Sequence, residues 1–219
     1  MKSLPSLSAW KEENVFLSLE SRIPEADAVV LSDYGKGLFR GDLARHVIEA
    51  AHARGKTVFV DPKGEDWERY RGADCVTPNE KELFQVSGED RGNGLSSRGR
   101  DVRGSFGFVK LLVTRGAKGM TLFGEEGEYS LPALRVREIF DVSGAGDTVI
   151  SVVAAAISAG FSWREAMALA NTAAGIVITK PGTAPIFIEE LVSAAKNGQG
   201  TRICSRDETA ALVKLWKSR

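Results

Sequence analysis

Asp141-Val-Ser-Gly-Ala-Gly-Asp147-Thr148 leads directly into an apolar, helix-forming run that extends to Ala159. Glycines let backbone N–H groups crowd toward an anion, and a helix start adds unpaired N–H donors and a partial positive charge. Asp147 stands where a carboxylate can accept a proton from an attacking hydroxyl. An anion cradle beside a base is what phosphoryl transfer to an alcohol requires. The same Gly144 to Asp147 segment also suits an ordinary glycine-rich turn with a first-turn acid, which the helix dipole favours. The rest of the chain has to decide between the two.

Working outward, short apolar runs end in turn-prone, polar segments. Ala28 to Leu31 runs into Ser32-Asp33-Tyr34-Gly35-Lys36-Gly37, and Thr57 to Val60 runs into Asp61-Pro62-Lys63-Gly64. Cys75 to Thr77 is closed by Pro78, and Leu111 to Thr114 by Arg115-Gly116-Ala-Lys-Gly119. Each reads as a buried strand with a loop at its C-terminal end. Helical spacing is expected over 43–53, stopping at Gly55, over 79–86, and over 145–159, 163–178 and 185–196. Met120 to Phe123 and Tyr129 to Val136 read as short antiparallel strands around a Gly124–Gly127 turn. Residues 88–107, rich in Gly and Arg, read as a mobile surface connection with at most one poor helix; an anion-binding arginine patch is the alternative. Strand–turn–helix alternation predicts an α/β fold, a mostly parallel sheet with helices on both faces. Functional loops of such sheets gather at the carboxyl ends of strands. The expected organisation is an N-terminal helical segment (1–24), a core (25–197), and a linker with a terminal helix (198–219).

Composition narrows the function classes. Lys+Arg and Asp+Glu are both 29, so no global charge points to nucleic acid or a membrane surface. Cys75 and Cys204 are far apart and form no CxxC, as in a reduced, cytoplasmic protein. His46 and His52 fall on one expected surface helix, which argues against a His-based metal site. The first residues lack the apolar core of a secretory signal, and the longest apolar run, 149–159, is too short to span a bilayer.

Several of these motifs together resemble the ribokinase (PfkB-type) sugar kinases. DVSGAGDTVISVVA is similar to that family's C-terminal signature, and Asn79-Glu-Lys-Glu82 to its NxxE motif. Thr114-Arg-Gly-Ala-Lys-Gly119 resembles its nucleotide-binding strand and turn, and Ala170-Asn171-Thr-Ala-Ala-Gly175 its adenine-side helix. Within the family, LSDYGKG, DPKG, ERYRGAD and TPN look most like the D-glycero-D-manno-heptose 7-phosphate kinases, which make a lipopolysaccharide precursor. Many of those are fused to a nucleotidyltransferase, and the tail 207–219 is similar to the helix opening that linker.

The resemblance implies a ribokinase-like fold and ATP-dependent transfer to a hydroxyl of a phosphorylated sugar. It implies Asp147 as base, with Gly144, Ala145 and Gly146 offering N–H groups to the migrating phosphoryl. Asn79 and Glu82 would position Mg²⁺ partly through water. Thr114, Gly116 and Gly119 would line the nucleotide, Asn171 would lie near adenine or ribose, and Lys63 would meet phosphate charge. Asp33 and Lys36 would lie on the sugar side, with Asp33 either contacting the sugar or orienting the Lys36 loop. A monovalent cation such as K⁺ would sit near Asp141 and the carbonyls of Val177, Lys180 and Gly182. For single motifs the bland readings stand beside these: Asn79 as a helix cap, Asn171 as a buried hydrogen-bonding residue, the lysines as solvated.

The chain also departs from the family pattern. The family's first third, with its opening strands, Gly-Gly sugar motif and β lid, is not matched, and no Gly-Gly pair occurs. Loss of a lid threatens affinity and rate, and the strand from Ala28 is expected to keep an exposed edge. A fragment, a truncated reading frame and a protein completed by homo-oligomerisation remain open. A nucleotide-binding remnant without catalysis, or a kinase for another sugar or nucleoside, are the alternative functions.

Overall fold

Each strand forms where a short β-branched or apolar run is bounded by residues that break it. The computed structural model describes residues 7–39, 41–88, 94–134, 136 and 139–196. The chain falls into two units that meet between Leu111 and Leu112, inside one strand. The tail 198–219 lies outside the described residues.

The first unit carries β1 (Ala28–Ser32), β2 (Thr57–Asp61), β3 (Cys75–Val76) and the start of β4 (Lys110–Thr114). All pair in parallel, Ala28 with Thr57 through Ser32 with Asp61, Phe59 with Cys75, and Cys75 with Lys110. Val58, Phe59, Val60, Cys75 and Val76 are fully buried, as a continuous apolar run in a parallel sheet demands. Helix α1 (Leu7–Glu20) packs on α2 (Leu43–His52), whose buried face is Leu43, Ala44, Val47, Ile48 and Ala51. A 3-10 turn at Glu68–Tyr70 buries Trp67 and Tyr70 completely. Helix α3 (Glu80–Val86) follows β3. In the strand order β1-β2-β3-β4-β5-β6, β1 is an end strand, and its Val30 is 42% exposed. The expected open edge is therefore present among the described residues.

Two expectations are corrected. Within the Gly/Arg-rich segment the one helix allowed there is α4 (Leu95–Phe106), and it is well packed instead of poor; residues 89–93 lie outside the described residues. Its low propensity is offset by packing: Val102 is buried, and Arg98 lies over the Phe84 ring at 4.9 Å while donating to Ser87 Oγ (2.7 Å) and Gly88 O (3.0 Å). Arg103 in turn reaches the carbonyl of Phe108 (3.3 Å), so these two arginines serve loop carbonyls of their own unit. The second correction concerns the last strand, which ends at Leu131 instead of Val136. Pro132 cannot donate to a ladder.

The second unit contains the rest of β4, then the antiparallel hairpin β5 (Met120–Gly124) and β6 (Gly127–Leu131), with Met120 opposite Leu131. Helices α5 (Ala145–Ser158) and α6 (Trp163–Val177) form a closely packed pair. Their buried faces are rich in alanine (Ala154, Ala156, Ala166, Ala170, Ala173), which lets the two backbones approach. Ser162 and Glu165 form a capping box that starts α6. Helix α7 (Ile188–Lys196) closes the described part.

Candidate active site

In the second unit, the glycine-rich loop is shaped by its backbone. Gly144 caps α5 in the left-handed region (φ 79°), where a side chain would be strained and its Cβ would press on Thr183 at 3.3 Å. Its carbonyl accepts both the amide (2.9 Å) and the hydroxyl (2.8 Å) of Thr148, closing the first turn. Asp141 Oδ1 accepts the Ser143 amide at 2.7 Å, and that backbone bond holds the Asp141 carboxyl below its ordinary range. The amides of Phe140 (2.9 Å) and Asp141 (3.4 Å) donate to Ile178 O, tying the loop to the end of α6. Asp141 therefore lies beside the segment that carries Val177, Lys180 and Gly182. Ala145 N–H, expected to face an anion, leans on Val142 O at 3.2 Å. Gly146 and Asp147 occupy the exposed and half-buried positions of the first turn of α5.

The remaining second-unit candidates hold one another's scaffold. Thr114 ends β4, and Gly116 opens the following turn with φ 55°. A Cβ on Gly119 would lie 2.0 Å from Leu131 O and 2.6 Å from Pro132 C, so no other residue fits there. Asn171, 4% exposed, donates from Nδ2 to Pro132 O at 2.9 Å. Gly175 faces Leu134, whose Cβ would be 3.0 Å from an added Cβ. Gly119, Asn171 and Gly175 thus grip residues 131–134. The sequence shows this segment only as the end of a strand; its role as the seat of Gly119, Asn171 and Gly175 is tertiary.

In the first unit the charged candidates are bound to each other. Asn79 caps α3: its Oδ1 accepts the Glu82 amide (2.9 Å), and Glu82 Oε2 accepts the Asn79 amide (3.0 Å). The capping reading of Asn79 is therefore realised, and it orients Glu82. Glu82 Oε1 takes the Lys63 ammonium at 2.8 Å, and this bond, with the charge of Glu82, raises the Lys63 pKa. With both oxygens engaged, Glu82 fits a hard cation through water better than by direct ligation. Among the described residues no cluster of three His, Cys, Asp or Glu side chains could hold a metal. Lys36 is exposed in the loop after β1.

Asp33, read as contacting sugar or orienting the Lys36 loop, is only 6% exposed and is bound on both oxygens. Oδ1 accepts the Gly35 amide (2.7 Å), and Oδ2 accepts Tyr70 Oη (2.5 Å) and faces Arg69 Nη2 (3.2 Å). It anchors the loop that carries Lys36. Burial, then the bond to Asp33, raises the Tyr70 pKa. Arg69 and Tyr70 were not among the candidates; their only trace was the ERYRGAD stretch.

Residues 4–190 match the model of the pfkB family carbohydrate kinases. The chain belongs to that family. Three curated relatives are each a "Bifunctional protein HldE". The protein from Gluconacetobacter diazotrophicus is 41% identical over 213 residues, 94% of this chain and 44% of that protein. The one from Paramagnetospirillum magneticum is 47% identical over 205 residues, 91% and 42%. The one from Azotobacter vinelandii is 50% identical over 175 residues, 79% and 36%. This pfkB chain thus spans about two-fifths of the length of the curated relatives it matches. Among solved structures, Arabidopsis thaliana ribokinase complexed with ribose and ATP superposes with a TM-score of 0.65 at 22% identity, covering 89% of this chain and 58% of that one. Phosphofructokinase-2 from Escherichia coli in complex with potassium gives 0.65 at 21%, covering 94% and 63%. These likenesses establish the fold class: α/β, ribokinase-like, a mixed sheet with helices on both sides. No described helix is long and apolar enough to cross a membrane.

Proposed function

We propose that the chain carries the base and the anion loop of an ATP-dependent sugar kinase, and that the acceptor is D-glycero-D-manno-heptose 7-phosphate, converted to the 1,7-bisphosphate. The observation that carries this reading is the left-handed Gly144 opening α5 with Asp147 in its first turn. Asp147 accepts the proton of the anomeric hydroxyl as that oxygen bonds to the γ-phosphorus. The bond from phosphorus to the bridging oxygen breaks, and its electron pair leaves on ADP. Gly146 N–H and the positive end of α5 stabilise the charge that develops. Mg²⁺, when bound, would neutralise phosphate charge. In the first unit Glu82, oriented by Asn79, would hold its water shell, and Lys63 would supply a point charge to phosphate. Asp141 and the carbonyls of Val177, Lys180 and Gly182 would take a monovalent cation, an idea that the potassium complex of the phosphofructokinase-2 relative supports.

A second reading is favoured by the coverage: the chain spans about two-fifths of its curated relatives and carries no Gly-Gly pair of the kind the family resemblance calls for at the sugar, so nucleotide binding without turnover is the alternative. One experiment separates them. Intact chemistry gives heptose-phosphate-dependent ADP release that disappears in Asp147→Asn. A remnant gives a thermal shift with Mg-ATP, since a ligand that binds the native state stabilises it, and no release with any sugar phosphate. Neither shift nor release would reject both readings. A cytoplasmic location is our inference from the family resemblance and the reduced-cysteine reading, and size-exclusion with light scattering tests whether the protein self-associates.

A further inference from the structure

Lys63 is held at three points within the first unit. Its ammonium lies 2.8 Å from Glu82 Oε1. Its stem runs against Gly35, where an added Cβ would meet Lys63 Cγ at 3.3 Å. Its carbonyl accepts a hydrogen bond from Arg69 Nη2. The same guanidinium faces Asp33 Oδ2 at 3.2 Å and donates to Phe39 O at 3.4 Å. Arg69 is 15% exposed at its side chain and Asp33 4%, so this bridge is largely shielded from water. Asp33 is in turn gripped by Tyr70 and by the Gly35 amide. Besides the Asp33 amide on Asp61 O (3.0 Å), the loop after β1 and the loop after β2 are joined through one planar, forked cation.

We propose that Arg69 is a positioning residue for Lys63: by bridging Asp33 and Phe39 to the Lys63 carbonyl, it fixes the backbone from which Lys63 presents its ammonium beside Glu82. A lysine cannot replace it. An ammonium is a point donor and cannot serve three acceptors spread over two loops, whereas the guanidinium fork does so in one rigid plane. Arg69 touches neither the ammonium nor Glu82; it acts through the main chain. What the placement serves, delivery of a cation to a phosphorylated substrate, rests on the kinase reading above. The placement itself does not.

The test is pulsed acetylation of lysine amines on the whole chain, read by mass spectrometry, with exposed Lys36 as internal reference. Buried Cys75 checks the fold, since it stays unreactive to a thiol reagent while the first unit is folded. Arg69→Lys is expected to raise the Lys63 rate relative to Lys36 by about threefold or more, while Tyr70→Phe, which loses one bond to Asp33 and none to Lys63, shifts it by less than about 1.5-fold. An unchanged Lys63 rate in Arg69→Lys, or an equal rise in both variants, overturns the proposal. If wild type turns over, Arg69→Lys is also expected to raise KM for the sugar phosphate about tenfold with kcat within about threefold, and that increment disappears in a Lys63→Met background. An increment that persists there would show that Arg69 does not act through Lys63. If wild type does not turn over, the kinase reading fails, yet the labelling result still decides the positioning role.

Discussion

The two units build their polar clusters in opposite ways. At the start of α5 the shape comes from main chain: a left-handed glycine, a turn closed by Asp141 on the Ser143 amide, and two amides anchored on Ile178 O. At the ends of β1 and β2 it comes from side chains that satisfy one another: Asp33 with Tyr70 and Arg69, Glu82 with Lys63 and the Asn79 amide. A backbone cradle is insensitive to most substitutions and acutely sensitive at glycine. A side-chain network is sensitive at each member, because removing one leaves another buried without its partner. The contrast predicts where mutations cost function and where they cost stability.

The largest effect is expected at Asp147. Loss of a general base typically costs ~10²–10⁴-fold in rate, and the side chain is only half-buried in a first turn, so Asp147→Asn should nearly abolish ADP release. Thermal unfolding should move little. Retention of activity within tenfold of wild type, in a protein shown to be active, would break the assignment.

Asp33→Ala should do the reverse. It leaves Arg69 and Tyr70 without their shared acceptor, and breaking a buried pair on one side costs about 3–5 kcal/mol. Denaturant unfolding measures this; a loss below about 1 kcal/mol would mean that the network is not what joins the two loops. Gly119→Ala is expected to cost about 3 kcal/mol or more, because the new methyl would sit 2.0 Å from Leu131 O at a φ of 88°. By contrast Gly146→Ala, with open space around its Cβ position, should be tolerated in stability and read out only in nucleotide binding. Equal destabilisation by the two glycine variants would erase the distinction between a packing glycine and a cradle glycine.

Much of this was legible in the chain. Four parallel strands ending in polar loops, the β5–β6 hairpin and the α5–α6 pair all followed from apolar runs and their breakers. The Asn79 cap and the Gly144 helix start were readable because caps are local. Partnership across loops was not. Asp33 looks like a strand-end acid in sequence, and only the 37-residue jump to Tyr70 turns it into an anchor. Likewise Asn171 reads from sequence as a buried hydrogen-bonding residue, but its partner, Pro132 O, lies 39 residues away and leaves no local trace. Helix α4 reads as a poor helix because local propensity counts its glycines against it, while the packing of Arg98 over Phe84 and the burial of Val102 are tertiary. The strand after Gly127 ends at Leu131, short of what apolar alternation suggests, because Pro132 lacks the N–H that a ladder needs.

The smallest effect sharpens the comparison by pH. The bond to Glu82 and its charge raise the Lys63 pKa above the ordinary lysine value. A raised folded-state pKa means that the native protein holds the proton more tightly than the unfolded chain. The stabilisation is complete below the ordinary lysine range and is lost as pH rises through the higher native value. Because the Lys63 side chain is half-exposed, solvent screens the pair and its worth should stay below about 1 kcal/mol. Wild type should therefore lose slightly more stability than Lys63→Met between about pH 10 and 12, the range around an ordinary lysine. The carboxylate of Asp141, held low by the Ser143 amide, has the opposite sign: its contribution is present above the ordinary carboxylate range and is lost on acidification. Parallel alkaline titrations of wild type and Lys63→Met that superpose would show that the Lys63–Glu82 contact carries no free energy. The first-unit cluster would then owe its rigidity to the Asp33–Tyr70–Arg69 network and the Asn79 cap.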